Sequence, residues 1–327
     1  MSNVTDRERR EARSGPYAAT VRWMENLSDA KFAYLLLTPV LLLLGIIALW
    51  PLMSTFWTSL HADAAFGAAN YGEFIGFENY MAILSGQRDA LLTQPFFSLS
   101  RPFQSAVTVT LIFAFVSVAF ETLIGFGQAL VLDQDFSGRR WVRVAIILPW
   151  AIPIVIQGML FFLLFQPTVG FLAGPLQSLG LLSSSPLSSA QDATMIIIVA
   201  DVWKTSAFMA LLILAGLQSI DRSLYDVAQV AGASKWQQFK YITFPLVLPS
   251  VLIAVLFRSI QAMRVYGLIE TVAGCTVVPS LSCLVVTSWG QRQYGTASAL
   301  AFLTALVIGI IVSVYIVRFA DAESGGF

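Results

Sequence analysis

The sequence predicts an all-α integral membrane protein that crosses the bilayer six times. Three observations carry that reading. Of 327 residues, 57% are hydrophobic and only 12% are charged, about half the charge of an average soluble domain. Mean hydropathy is +0.75. The charges cluster between long uncharged runs. Too little polar surface remains to cover a soluble globule, which excludes an ordinary cytosolic enzyme and a disordered chain. Nineteen Lys and Arg balance nineteen Asp and Glu, so no basic excess points to nucleic acid. One histidine (His61) and two cysteines are too few for most metal or haem sites.

A spanning helix needs about 20 mostly apolar residues, and the elements follow in order. Residues 32–60 hold no charge and form span 1. Residues 102–132 hold only Glu121 and form span 2, where Gly125 and Gly127 suit close helix packing. Residues 144–191 are uncharged but too long for one helix. Gln166-Pro167, Gly170, Gly174-Pro175 and the serines from Ser183 to Ser189 break the run. Span 3 is therefore 144–165, kinked by Pro149 and Pro153. Span 4 is 193–217, with Asp201 and Lys204 inside it; span 5 is 241–266, with Arg258 and Arg264; span 6 is 293–317. The domain reading is a tail at 1–31, a transmembrane domain at 32–319 and a tail at 320–327.

With the N-terminus inside, thirteen Lys and Arg face the cytoplasm and three (Arg88, Arg101, Arg292) face out. That bias places both termini in the cytoplasm of a multi-pass cell-membrane protein. The first 31 residues are no cleavable signal, because span 1 far exceeds a signal's apolar core. They read as a solvated tail or a short amphipathic helix on the membrane.

Between spans 4 and 5 the chain reads as two short helices around a glycine. Ser223 is placed to cap the first, with Leu224, Val227, Ala228 and Ala231 on one face. Gly232 ends it, since glycine adopts the left-handed conformation without steric cost. Ser234 is placed to cap the second, which carries Trp236, Phe239, Lys240 and Ile242 before Pro245. Such an elbow is either a docking element for a cytoplasmic partner or a loop packed on its own bundle.

The segment 221–245 resembles the coupling ("EAA") loop of ABC importer permeases. Asp226-Val227-Ala228 stands for Glu-Ala-Ala, Gly232 for the glycine, and Ile242-Thr243-Phe244-Pro245 for Ile-x-Leu-Pro. Asp226, Val227, Ala231 and Phe244 depart from the usual Glu, Ala, Asp and Leu. Four other segments extend the likeness to carbohydrate importers. They are Phe74-Ile75-Gly76-Phe77-Glu78-Asn79-Tyr80; Gly138-Arg139-Arg140 with Leu148-Pro149-Trp150-Ala151-Ile152-Pro153; Trp203-Lys204-Thr205-Ser206-Ala207-Phe208-Met209 with Leu214-Ala215-Gly216-Leu217; and Phe257-Arg258-Ser259-Ile260-Gln261-Ala262-Met263-Arg264-Val265-Tyr266. The chain is most similar to trehalose/maltose permeases.

The resemblance implies a six-helix ABC importer permease (MetI/MalF-like) bundle with a cytoplasmic coupling loop. It implies that Asp226, Ala228, Gly232, Ala233, Trp236, Phe239 and Pro245 meet an ATPase. Expected partners are a second homologous permease, two copies of the ATP-binding subunit, an external sugar-binding protein and the lipid bilayer. The chain lacks a G-x-x-x-x-G-K-[ST] phosphate loop. It is therefore no enzyme and carries no cofactor; ATP and magnesium are expected on the ATPase. The implied cargo is a di- or oligosaccharide such as trehalose or maltose. The competing readings are a permease for glycerol phosphate or a polyamine, and an ion-coupled secondary transporter.

Charges at membrane depth face the bundle interior or an aqueous path. Asp201 and Lys204, three apart, either neutralise each other or line that path. Arg258, Gln261 and Arg264 form a drifting polar stripe whose acidic partner is sought in Glu121. With Tyr266 they offer the amide, cationic and aromatic groups a sugar needs, and Gln157 is a lesser candidate. Cys275 and Cys283 both fall on the exterior side, an oxidising compartment. They read as a disulfide or as two buried thiols.

Overall fold

A computed structural model describes residues 23–24, 27–64, 71–88 and 92–324. Most of the expected N-terminal tail (residues 1–22, 25 and 26) and residues 325–327 lie outside the described residues. The described chain is helical, and its two compact units are Met1–Trp57 and Thr58–Phe327.

The first unit holds most of α1 (Asp29–Ser59), which passes through a π turn at Gly45–Leu49. Leu36, Leu41, Ile46 and Trp50 are exposed along it. The second unit follows with α2 (Glu78–Leu84), α3 (Ala106–Asp133), α4 (Arg139–Ala151), α5 (Ile154–Phe165), α6 (Ala173–Ser178) and α7 (Ala190–Gln218). Then come α8 (Ser223–Val230), α9 (Lys235–Met263), α10 (Gly267–Val272), α11 (Leu281–Gly290) and α12 (Tyr294–Ser324).

Several readings change in the structure, among them span 6, whose helix α12 runs on to Ser324 through most of the stretch read as a C-terminal tail. Span 3 is not one kinked helix: α4 and α5 meet at 93°. The physical cause is Pro153, which has no N–H and forces the preceding Ile152 into extended backbone (φ −72°, ψ 130°). Pro149, by contrast, sits inside α4. Span 5 begins earlier, at Lys235, and ends at Met263, so Arg264 and Tyr266 fall in the turn after it. The stretch after Glu270, read from the sequence as an exterior loop, holds a helix of its own, α11.

Helices α3, α7 and α9 form the middle of the second unit. Ala129, Leu132, Ile213, Leu214, Leu217, Val247 and Val251 make one buried cluster at the end that carries the 221–245 elbow. A Cβ on Gly125 would lie 2.6 Å from Met209 Cβ and 2.9 Å from the Ser206 carbonyl oxygen, so glycine there sets the approach of α3 to α7. Gly127 has open space around it and does not share that role.

The Phe74–Tyr80 motif is a clip. Asn79 is fully buried, and its amide donates to the carbonyls of Ser59 and His61, both at 2.8 Å. Beside it Asp63 pairs with Arg88 at 2.7 Å and accepts from the backbone N–H (2.9 Å) and hydroxyl (2.6 Å) of Thr296, at the start of α12.

Candidate functional site

The elbow between α7 and α9 is built from local rules. Helix α8 starts at Ser223, but Ser223 is not its cap: Asp221 Oδ1 accepts from the Ser223 N–H at 2.9 Å. That hydrogen bond holds the Asp221 carboxyl below the usual carboxylate range. At the other end Gly232 has φ +81°, the Gly232 N–H reaches the Gln229 carbonyl at 3.0 Å, and the Ala233 N–H reaches the Ala228 carbonyl at 2.9 Å. This paired pattern is a Schellman ending, which satisfies carbonyls a helix terminus leaves free. Ser234 then opens α9 with a capping box: its Oγ accepts from the Gln237 N–H, and Gln237 Oε1 accepts from the Ser234 N–H at 2.7 Å. A π turn at Phe239–Thr243 follows. It absorbs Pro245, which has no N–H to give to the preceding turn.

One face of the elbow is tied to the bundle. Arg222 pairs with Asp133, the last residue of α3, at 2.7 Å, and the Tyr225 hydroxyl lies 3.0 Å from Thr243 Oγ1. Trp236 stacks on Phe239 at 5.5 Å, and Phe239 meets Phe126 of α3 edge-on at 5.9 Å. Much of the elbow is open all the same. Leu224, Val227, Val230 and Trp236 are exposed, Val230 at 91%, and Asp226, Gly232 and Pro245 are exposed with them. Ala228 and Ala233 are half-buried. Sequence reasoning missed Asp133 and Phe126, which lie on α3 and which no local spacing connects to the loop, and it gave no partner to Tyr225 within the loop.

The intramembrane charges gather inside the bundle. Arg258, 3% exposed, holds Glu121, fully buried, through Nε–Oε2 at 2.5 Å and Nη2–Oε1 at 2.9 Å. The same guanidinium pairs with Asp201. Asp201 and Lys204 therefore do not form the expected i, i+3 pair. The buried guanidinium takes the carboxylate, and Lys204 Nζ instead donates to the Ile152 carbonyl at 2.6 Å. Gln157, fully buried, donates to the Ala200 carbonyl at 2.6 Å. Gln261 and Arg264 are exposed and Tyr266 is half-buried. Arg264 lies in a groove of about 660 Å³ with Ser282 and Thr304 on its walls. Cys275 and Cys283 are joined in a disulfide, Cα–Cα 5.5 Å, with both residues buried. No group of three or more His, Cys, Asp or Glu suited to a metal occurs among the described residues.

Comparison with known proteins bears on the chain as a whole. Residues 121–322 match the family described as binding-protein-dependent transport system inner membrane component. The chain is 35% identical over 291 residues to the trehalose/maltose transport system permease protein MalF of Thermococcus litoralis, covering 88% of this chain and 93% of that protein. It is 30% identical over 302 residues to the trehalose transport system permease protein SugA of Mycobacterium tuberculosis, covering 92% of each. Among solved structures, a chain of a bacterial alginate ABC transporter, in complex with an alginate pentasaccharide-bound periplasmic protein, shares the fold. Its TM-score is 0.72 at 22% identity, over 94% of this chain and all of that one.

Proposed function

We infer function from this premise: the chain belongs to the binding-protein-dependent transport system inner membrane components. It is a membrane-embedded permease subunit of an ABC importer, not an enzyme, and its system includes a binding protein and a separate ATPase.

The finer reading is that it forms half of the path for a di- or oligosaccharide of the trehalose or maltose kind, beside a second homologous permease. Its termini face the cytoplasm, and ATP and magnesium sit on the partner ATPase. Names of the relatives support the cargo. One observation carries the coupling role: an elbow rigidly capped on both helices, tied to α3 by Arg222–Asp133, presents Val227, Val230 and Trp236 bare on its free face. A monomeric soluble surface rarely exposes such a cluster without a partner. The ATPase cleft is the partner we assign to Asp226, Gly232 and Trp236.

For the path we retain Gln261, Arg264 and Tyr266, whose amide, guanidinium and ring suit hydroxyl edges and apolar sugar faces. Glu121 and Asp201 are spent on Arg258, so we assign them to holding helices together. The test is trehalose uptake in cells carrying the complete system with and without this chain. Uptake that survives loss of the chain, or persists after ATP depletion while collapsing with the ion gradient, overturns the reading.

A further inference from the structure

Two of the sequence motifs lie outside the docking elbow and apart from Gln261, Arg264 and Tyr266, and they meet each other. Trp203-Lys204-Thr205-Ser206-Ala207-Phe208-Met209 lies on α7, and Leu148-Pro149-Trp150-Ala151-Ile152-Pro153 runs through the break between α4 and α5. Before the break, Trp150 stacks on Phe208 at 6.3 Å, the rings 26° apart. After it, Phe161 meets Trp203 at 5.8 Å and the Gln157 amide donates to the Ala200 carbonyl. At the break itself, Lys204 Nζ donates to the Ile152 carbonyl.

Ala200, Lys204 and Phe208 are each four residues apart, so they share one stripe of α7. The chemistry explains the lysine. In an unbroken helix the Ile152 carbonyl would accept from the Ile156 N–H. Pro153 and the extended Ile152 turn it away, and inside a bilayer a free carbonyl costs several kcal/mol. An ammonium on a four-carbon stem reaches that carbonyl from the neighbouring helix. Beyond the break, α5 leans on α10. Gly158 faces Thr271 with no room for a Cβ between them, and Ile154 lies against Gly267.

We propose that Lys204 is a positioning residue. With Gln157 and Phe208 it forms a joint that fixes the angle of the broken span, and so sets where α5 and α10 stand in the transport cycle. The two motifs are the two halves of this joint. The proposal rests on the importer reading above, and its test separates the two.

The complete transporter is labelled with spin probes at Leu163→Cys on α5 and Met195→Cys on α7, both exposed positions. Distances are compared in otherwise wild-type, Lys204→Met and Lys204→Arg chains, beside uptake with trehalose as the probe. The expected result is a single distance population in the parent and a second, broader one in Lys204→Met. Uptake should fall about tenfold, the scale of one lost charge-assisted hydrogen bond. Because Lys204, Gln157 and Phe208 are all engaged in the joint between α7 and the α4–α5 pair, half-saturation should move less than about twofold. Lys204→Arg, which keeps the donor, should restore both readings. If Lys204→Met fails to assemble, Phe208→Leu reads the same joint and should broaden the distances by less. Unchanged distances in the assembled variant, or Lys204→Arg no better than Lys204→Met, overturn the proposal. A parent that moves no trehalose refutes the cargo, while the distances still decide the joint.

Discussion

Arg258 and Glu121 meet through two parallel hydrogen bonds, 2.5 and 2.9 Å, with neither residue more than 3% exposed. The pair joins α9 to α3, and the second carboxylate, Asp201, brings in α7. A bidentate fork of this kind fixes geometry as well as charge. Removing its centre strands two buried acids.

Arg258→Met should therefore destabilise the chain by about 3–5 kcal/mol, the usual cost of breaking a buried pair from one side. The triple change Glu121→Gln, Asp201→Asn and Arg258→Met should recover most of that loss. Thermal unfolding in detergent reads both. An Arg258→Met chain as stable as the parent removes the cluster from the list of what holds these helices.

Gly232 has φ +81° and nothing within 4 Å of a would-be Cβ. A substitution there meets backbone strain and no clash, about 1–2 kcal/mol for an L-residue and worse when β-branched. Gly232→Val should leave the membrane helices intact while abolishing uptake and loosening the ATPase during purification. Gly232→Asn should be milder, since asparagine tolerates the conformation. Full uptake with a normally retained ATPase in the valine variant would end the coupling assignment.

The two glycines of α3 make a contrast. A Cβ at Gly125 would sit 2.6 Å from Met209 Cβ, whereas Gly127 has open space. Gly125→Ala should cost about 1–3 kcal/mol by overpacking, and Gly127→Ala should be neutral or slightly stabilising through helix propensity. Equal melting temperatures for the two variants would contradict the close approach of α3 to α7.

Gln261→Leu removes an exposed amide from the proposed path without touching the Arg258 cluster. Sugar uptake should fall while the complex assembles in normal amount, both read from the same membrane preparation. Wild-type uptake would take Gln261 out of the path.

Mass mapping without reductant should recover one peptide pair containing Cys275 and Cys283. Replacing both by serine should cost about 2–3 kcal/mol, the loop-closure scale for so short a ring. Recovery of two free thiols from the native protein would refute the bridge.

The elbow was the most legible part of the chain, because a helix-ending glycine and the Ser234 cap are local signals, although Ser223 proved not to be a cap. Gly232 and Ser234 act where such signals place them. Arg258 also meets Glu121, since Glu121 is the single acid of span 2 and the stripe on span 5 had to find a buried partner. Asp201 and Lys204 show where local reasoning fails. Their spacing permits a pair, but the outcome turned on Arg258 and on a carbonyl freed 52 residues away. Proline at 153 marked a disturbance without revealing a right angle, because the angle depends on what α7 and α10 offer to each half. Asp133–Arg222 was invisible for the same reason: it joins ends of helices that only the fold brings together.

Helix α12 runs 31 residues from Tyr294 to Ser324, about 46 Å at the usual rise per residue. The hydrocarbon layer is about 30 Å thick. The excess is about three helical turns, close to the distance from Val314 to the end of the helix. Either the helix leans steeply or its last turns stand in the headgroups and water. Arg318 falls in that final part, and its charge favours emergence over tilt. On that reading the last turns of α12 stand outside the lipid and meet whatever touches that side of the membrane.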